Sequence, residues 1–428
     1  MTRSSVSQAD LSRREFLARS LAASGGVLFP LIVPGRVLGR DGGVAPSNRI
    51  VMAGFGIGGR GRSDLEVMLH EPEVQFVAIA DARADRRQAV KDIIDRRNGD
   101  TGCAMYRDFR DLLARRDVDA LLIATGDRWH SLASILAAKA GKDMYCEKPC
   151  STNIADSIAL AETMRRYSRV YQAGTQRRNV SNFMFAIELA RSGKLGKLQS
   201  VHANTLAPAT RLDWLPPEPE PSKEVCDWDM WLGPCPWRPY NSQYVAGRWR
   251  GHFDFHGGGI LEWGSHTVDL CQWANNADNT APVEYEPTAD GCVARYANGV
   301  QLVMRDKGWL GLGTCSVRFE GDEGWVETGD RGEIRVFPES LRGERTIKAG
   351  PGTHPGTHLR DFLDCVKSRA QPAANGDVAC QSHIACHAAY IAWQLGRRLT
   401  YDPVKNEFLR DEEANRMRAR AKREPWRI

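Results

Sequence analysis

Apolar positions along the chain follow two regimes. Between residues 49 and 178, short continuous apolar runs alternate with longer stretches in which apolar residues recur every three or four positions. The runs at 49–53, 74–80, 119–125, 143–146 and 170–173 read as strands, that at 119–125 of the buried type. The stretches at 63–69, 83–97, 108–115, 131–139 and 154–167 read as the helices between them. This alternation predicts an α/β domain with a doubly wound parallel sheet, whose ligands lie at the carboxyl ends of the strands. From residue 198 the pattern changes. A strand-like segment at 198–206 precedes a Pro- and Trp-rich stretch at 208–250, and a helical segment runs from Gly257 through Trp273. Short strand candidates follow at 283–286, 293–296, 300–305, 315–320, 324–327 and 333–337, separated by turn pairs such as Asn298-Gly299. They predict an α+β domain with a mainly antiparallel open sheet. Helices at 358–368 and 378–397 close the pattern. The domain reading is 1–40 a signal segment, 48–178 a nucleotide-binding domain, 179–400 a substrate and oligomerisation domain whose last helices can pack on the first, and 401–428 a charged tail.

The first forty residues read as an address. Ser12-Arg13-Arg14-Glu15-Phe16-Leu17 is a twin-arginine export motif, and the weakly apolar run at 21–33 is too short to span a bilayer. The expectation is export to the periplasm by the twin-arginine translocase, with no membrane span. The formal charge of the 428-residue chain is +5, of which residues 1–40 carry +4, so the basic balance argues no nucleic-acid partner. Eleven cysteines, an odd number without repeated CxxC spacing, argue against a disulfide framework or a structural zinc site. Cys380, His383, Cys386 and His387 lie on two turns of one helix and cannot enclose a tetrahedral ion, so they read as packing residues and no metal is expected.

The candidate chemistry begins at Gly54, Phe55, Gly56, Ile57, Gly58 and Gly59, where Gly54, Gly56 and Gly59 keep GxGxxG spacing between a strand and a helix. Such glycines allow a tight turn, backbone approach to a pyrophosphate and close helix packing. Asp81 ends the second strand at the distance expected of a ribose-binding carboxylate. Its charge favours NAD over NADP, with Arg83, Arg86 and Arg87 close enough in sequence to complicate that preference. Thr125, His130, Glu147, Lys148 and Gln176 stand at other strand ends and converge on the same crevice.

These motifs, with Glu147-Lys148-Pro149, Gly174-Thr175-Gln176 and the run from Gly257-Gly258-Gly259 to Glu262 and His266, resemble the glucose–fructose oxidoreductase/inositol dehydrogenase (Gfo/Idh/MocA) family over nearly all of residues 48–400. The resemblance implies a Rossmann domain, an α+β domain whose open sheet mediates a homo-oligomer, and NAD-linked chemistry on a sugar, glycoside or cyclitol hydroxyl. Two departures stand out: Glu262 takes the place of the family's usual Asp four residues before the His, and Thr125-Gly126-Asp127-Arg128-Trp129-His130 replaces the common Thr-Pro-Asn loop. His266 suits a general base, Lys148 a donor to the substrate oxygen, and Glu262, at i,i+4 from His266, an orienting carboxylate. Arg178, Tyr240, Tyr244 and His252, with Arg248 and Arg250 nearby, suit either a sugar or a subunit interface. The alternatives to net oxidation are a redox-neutral glycoside-cleaving or eliminating enzyme with tightly bound NAD, and a non-catalytic NAD-binding sensor or scaffold.

Overall fold

The computed structural model describes residues 44–208, 210–307, 311–343, 347 and 352–427. The twin-arginine motif lies outside the described residues. The chain divides into two compact units, residues 1–48 and 49–428. In the first, Pro46–Asn48 forms a single 3-10 turn. The second contains both sheets.

The first sheet is parallel, in the order β3-β2-β1-β4-β5-β6. Its strands are β1 (Ile50–Phe55), β2 (Val74–Ala80), β3 (Ala104–Tyr106), β4 (Ala120–Ile123), β5 (Asp143–Cys146) and β6 (Tyr171–Ala173). The crossover helices are α1 (Gly59–Leu69), α2 (Ala84–Asn98), α3 (Phe109–Leu113), α4 (Asp127–Lys139) and α5 (Ile154–Tyr167). This is the dinucleotide-binding order, with the switch point between β1 and β4. Continuous burial along β4 and β5 explains their unbroken apolar runs. Three local differences separate this sheet from the sequence expectation. Strand β3 is too short to show a period. Helix α1 starts at Gly59, directly on the glycine turn, and α4 starts at Asp127. The polar stretch from Asp127 to His130 is therefore the first turn of a helix and is buried.

After α6 (Ser181–Arg191), the second sheet holds β7 (Leu198–Asn204) in its centre. A short helix α7 (Trp228–Leu232) lies in the Pro- and Trp-rich insert, and α8 (Gly259–Ala274) follows it. Then come β8 (Glu284–Thr288), β9 (Gly291–Arg295), β10 (Gln301–Arg305), β11 (Val317–Gly321), β12 (Trp325–Thr328) and β13 (Ile334–Phe337). Every pairing in this sheet is antiparallel except β7 with β10. Helix α9 (Gly356–Ser368) returns to pack on α1 and β5, and α10 (Gly376–Leu395) packs between α5 and α8.

The charged tail packs on the body of the molecule over residues 401–427. Strand β14 (Leu399–Asp402) joins β8, and β15 (Glu407–Phe408) extends the edge before α11 (Glu412–Arg416). The last residues then return to the body: Trp426 is buried edge-on against Trp129, and Arg420 donates to the carbonyl of His256 at 2.9 Å. Their charge disguised a segment that packs through its long aliphatic stems and one tryptophan.

Three buried histidines beneath the cleft are paired. His383 on α10 accepts from the Cys150 amide at 3.0 Å through Nε2, which fixes Nδ1 as the donor to the Ala379 carbonyl at 2.6 Å. His387 Nε2 meets Ser151 Oγ at 3.2 Å, and His358 on α9 reaches the Ala173 carbonyl at 2.8 Å. All eleven cysteines are free and buried, Cys380 and Cys386 on the packing faces of α10 among them.

Burial pushes His358 and His383 down to about 4 and His387 well below 6.5. The unfolded chain therefore binds protons that the folded chain refuses, so stability is complete above pH 6.5 and is lost as pH falls toward about 4. Thermal unfolding monitored between pH 7 and pH 5 is expected to show a falling Tm, above the range where most carboxylates titrate. A Tm that holds or rises over that interval contradicts the pairing described for these histidines.

Candidate active site

A cleft of about 520 Å³ opens along the carboxyl ends of β1, β2, β4 and β5 and is closed on its far side by α8 and the insert. Its floor is the glycine turn between β1 and α1. Gly56 holds φ +67°, and a Cβ there would stand 2.2 Å from Thr125 Cγ2, so the turn can pass under the β4 loop only with glycine. Over Gly58 and Gly59 a Cβ would meet nothing within 4 Å, which leaves the α1 N-terminus open to the cleft. Its first amide groups have no intrahelical acceptor and suit an anion. Gln176 offers a separate acceptor, a buried Oε1 without a partner among the described residues. The donor set and the open cradle fit a dinucleotide.

At one end of the cleft stands Asp81. Its Oδ1 accepts from the Arg83 amide at 2.9 Å. Burial raises its pKa, opposed by that hydrogen bond and by Arg86, Arg83 and Arg87. The guanidinium of Arg83 is committed to Asp85 and to the Val245 carbonyl at 2.7 Å, and Arg87 bonds the Asp81 carbonyl at 2.5 Å. Two of the three arginines that complicated the cofactor preference are thus engaged elsewhere, and Asp81 presents a carboxylate where a 2′-phosphate would lie.

The other end holds Lys148, Glu262 and His266. Lys148 follows β5, and its ammonium donates to Glu262 Oε1 at 3.0 Å and to the Glu262 carbonyl at 2.8 Å. Glu262 Oε2 lies 3.3 Å from His256 Nε2, and the Gly258 amide donates to His256 Nδ1 at 3.1 Å, so Nε2 carries the proton. Burial opposes ionisation of Glu262, but the His256 hydrogen bond and the Lys148 charge outweigh it and hold the carboxyl far below its ordinary range. His266, one turn further along α8, is buried with Nδ1 3.1 Å from Thr175 Oγ1. Burial, then the positive charges of Arg177, Lys148 and Arg60, hold its imidazole well below 6.5 and therefore neutral. Glu147 lies behind Lys148, 3.3 Å from Arg60, which also pairs with Asp64 at 2.9 Å.

The arrangement brings Lys148, Glu262, His266, Glu147, Gln176, Thr125, Asp81, Phe55, Gly56, Gly58 and Gly59 to one cleft. Gly54 and Ile57 support the turn from beneath: a Cβ on Gly54 would press on Ile57 at 2.9 Å, and Ile57 is in the core. His130 reaches the cleft wall, but its nitrogens face the carbonyls of Pro149 at 2.7 Å and Thr125 at 3.2 Å, so it braces two strand-end loops. Glu262 does not orient His266 as the i,i+4 spacing implied. Its carboxylate turns to Lys148 and His256, because two cationic or donor groups outbid a neutral imidazole.

The expected substrate ligands need correction. Arg178 is buried under Trp273 and paired with Asp269 and Asp278 at 2.6 Å each, so its guanidinium has no free edge for a sugar. Tyr244 is buried in an aromatic cluster with Trp228 and Phe255, its hydroxyl accepting from the Leu215 amide at 2.7 Å. Tyr240 lies edge-on to Trp228, and His252 donates from Nδ1 to the Asp213 carbonyl at 3.0 Å. Tyr240, Tyr244 and His252 pack within the insert, and Arg178 is locked in its ion pairs, so none of the four turns a free polar group to the cleft. The cleft is lined instead by Arg128, Arg177, Trp249, Arg250 and Trp263, with Thr353 above Arg60. Arg177 was within reach of sequence reasoning, since it adjoins Gln176 at a strand end. Arg128 sits at the departure from the common loop motif, and His256 directly precedes the glycine triplet. Thr353 carried no signal.

Residues 48–175 match the model of an oxidoreductase family's NAD-binding Rossmann fold, and residues 211–428 match that family's C-terminal alpha/beta domain. The chain is 29% identical to myo-inositol 2-dehydrogenase of Thermotoga maritima over 155 residues, 36% of this chain and 45% of that one. It is 26% identical to a glycosyl hydrolase family 109 protein of Shewanella baltica over 204 residues, 44% of each chain. The matched stretches thus span less than half the length of these curated relatives. The fold is similar to that of the WlbA dehydrogenase from Bordetella pertussis, solved in complex with NADH and UDP-GlcNAcA, with a TM-score of 0.61 and 20% identity over 83% of this chain and 99% of that one.

Proposed function

Because the chain belongs to the Gfo/Idh/MocA oxidoreductase family, we propose that it is an exported NAD-dependent enzyme that oxidises or reduces a hydroxyl-bearing carbon of a sugar, glycoside or cyclitol. The observation that carries this reading is the convergence of Lys148, Glu262 and His266 on the end of the cleft away from Asp81. Bound NAD supplies the acceptor for the hydrogen that leaves the carbon as hydride. The chain supplies the proton chemistry. His266, held neutral, accepts the hydroxyl proton in oxidation and returns it in reduction. Lys148, aligned by two bonds to Glu262, donates to the substrate oxygen as negative charge develops there. Glu262 keeps the ammonium pointed, and His256 holds Glu262 in place.

Export by the twin-arginine translocase and a homo-oligomer built on the open second sheet belong to the same reading. Outside the cytoplasm a freely exchanging cofactor has no soluble nicotinamide pool to draw on. A protein translocated folded can carry NAD with it and regenerate it in place, through a second substrate or by returning the hydride within one cycle. The stretch shared with the glycosyl hydrolase family 109 protein favours the second route as an alternative reading. It is separated by reduced nicotinamide, which accumulates under substrate only if the cycle is not closed.

His266→Ala and Lys148→Ala are each expected to lower kcat by on the order of 10²-fold or more, with NAD binding retained in His266→Ala. Near-wild-type turnover in either variant on the true substrate contradicts the assignment. In the wild type, the acid limb of kcat/KM should lie below pH 6.5, because His266 protonates only below its ordinary value; a limb centred above 6.5 excludes it as the base. Mass spectrometry of the denatured, dialysed protein should find substantial NAD(H) released. A fully apo protein with weak NAD affinity contradicts cofactor retention.

A further inference from the structure

Arg128 is a buried cation with no salt bridge among the described residues. It occupies the first turn of α4, is 6% exposed and lines the cleft. Its guanidinium lies 3.6 Å over the ring of Trp231, and its Nε donates to the Trp231 carbonyl at 2.8 Å. Its buried Nη1 finds no hydrogen-bond partner among the described residues. Burial lowers the group to about 10, so it remains charged at neutral pH. A charge taken out of water without a counter-ion is costly unless a ligand supplies one.

Its place along the cleft identifies that ligand. Nη1 would stand 2.3 Å from a Cβ on Gly126, so the guanidinium rests directly on the α4 N-cap. The neighbouring Thr125 packs on Gly56, and the charge of Asp81 is felt at Arg128. Arg128 therefore stands beside the turn suited to a pyrophosphate, with Asp81 on one side and, through Trp249 and the adjoining Asp127, His256 on the other.

What holds it there is the insert between the two sheets. The Ala84 amide donates to the Val225 carbonyl at 3.0 Å, the Asp227 amide to the Ala82 carbonyl at 3.0 Å, and Trp129 Nε1 to the Met230 carbonyl at 3.1 Å. With the Arg83 bond to Val245, these ties fix Trp231, Val245 and Trp249 in the wall of the cleft.

We infer that Arg128, aligned by Trp231, is a diphosphate ligand of the dinucleotide, facing the glycine turn from the roof of the cleft. The inference rests on the NAD-dependent reading above and adds to it a residue that closes the site over the cofactor. A planar guanidinium with a free edge suits two phosphate oxygens, where lysine offers a single point of charge.

The test is fluorescence titration of NADH into wild type, Arg128→Gln and Arg128→Lys, with ADP-ribose and adenosine as competitors. For Arg128→Gln, affinities for NADH and ADP-ribose should fall about tenfold or more while that for adenosine stays within about twofold, since only the first two carry the diphosphate. Arg128→Lys should fall between. Unchanged NADH and ADP-ribose affinities overturn the inference. A raised KM for an anionic substrate alongside them reassigns Arg128 to that anion. An equal loss for adenosine also overturns it and leaves Arg128 a packing role. A wild type that binds no NADH fails the parent reading itself, an outcome distinct from these.

Discussion

The site depends on a bridge between the two sheets: the ammonium of Lys148, at the end of β5, bonded to both the carboxylate and the carbonyl of Glu262 in α8. One partner comes from the nucleotide-binding layer and the other from the helix that packs on the second sheet. The pairing is only partly buried, so its value lies in placement more than in stability. His256 and the glycine triplet before α8 hold its acidic end in place. His266 then falls one helical turn away, in a setting of burial and positive charge that keeps its imidazole neutral.

Charge is distributed along the cleft to match this division of labour. Near Asp81 the arginines are mostly spent on carboxylates and carbonyls, while Arg128 keeps a free edge under the insert. Behind Lys148, Arg60 is shared between Asp64 and Glu147. The polar core below, with His383 bonded to the Cys150 amide and to Ser265 Oγ at 3.1 Å, links the loop after Lys148 to the same helix that carries Glu262. Two elements that must stay in register for chemistry are thereby tied twice, once in the cleft and once beneath it.

Much of this was legible in the residues. The alternation of apolar runs gave the parallel sheet because strands buried on both faces leave no other pattern, and polar residues at their ends marked the cleft. The glycine turn and Asp81 were readable because backbone geometry demands those residue types there. Contacts set by tertiary structure were not readable. Glu262 and His266 share a helical face, yet nothing in their spacing shows that Lys148 and His256 claim the carboxylate. Arg178 and Tyr244 carry the chemistry of a sugar site, but their burial depends on Asp269, Asp278 and the tryptophans of the insert. The charged end of the chain concealed docking through Trp426 and arginine stems.

The central claim is that the dinucleotide and the Lys148–Glu262 bridge meet in one cleft. A crystal structure of the protein grown with NADH tests it most directly. The account predicts the adenosine ribose at Asp81, the pyrophosphate over Gly56 and Gly58, and the nicotinamide beside Lys148 and His266. A dinucleotide bound elsewhere, or one whose nicotinamide lies apart from Lys148 and His266, would contradict it.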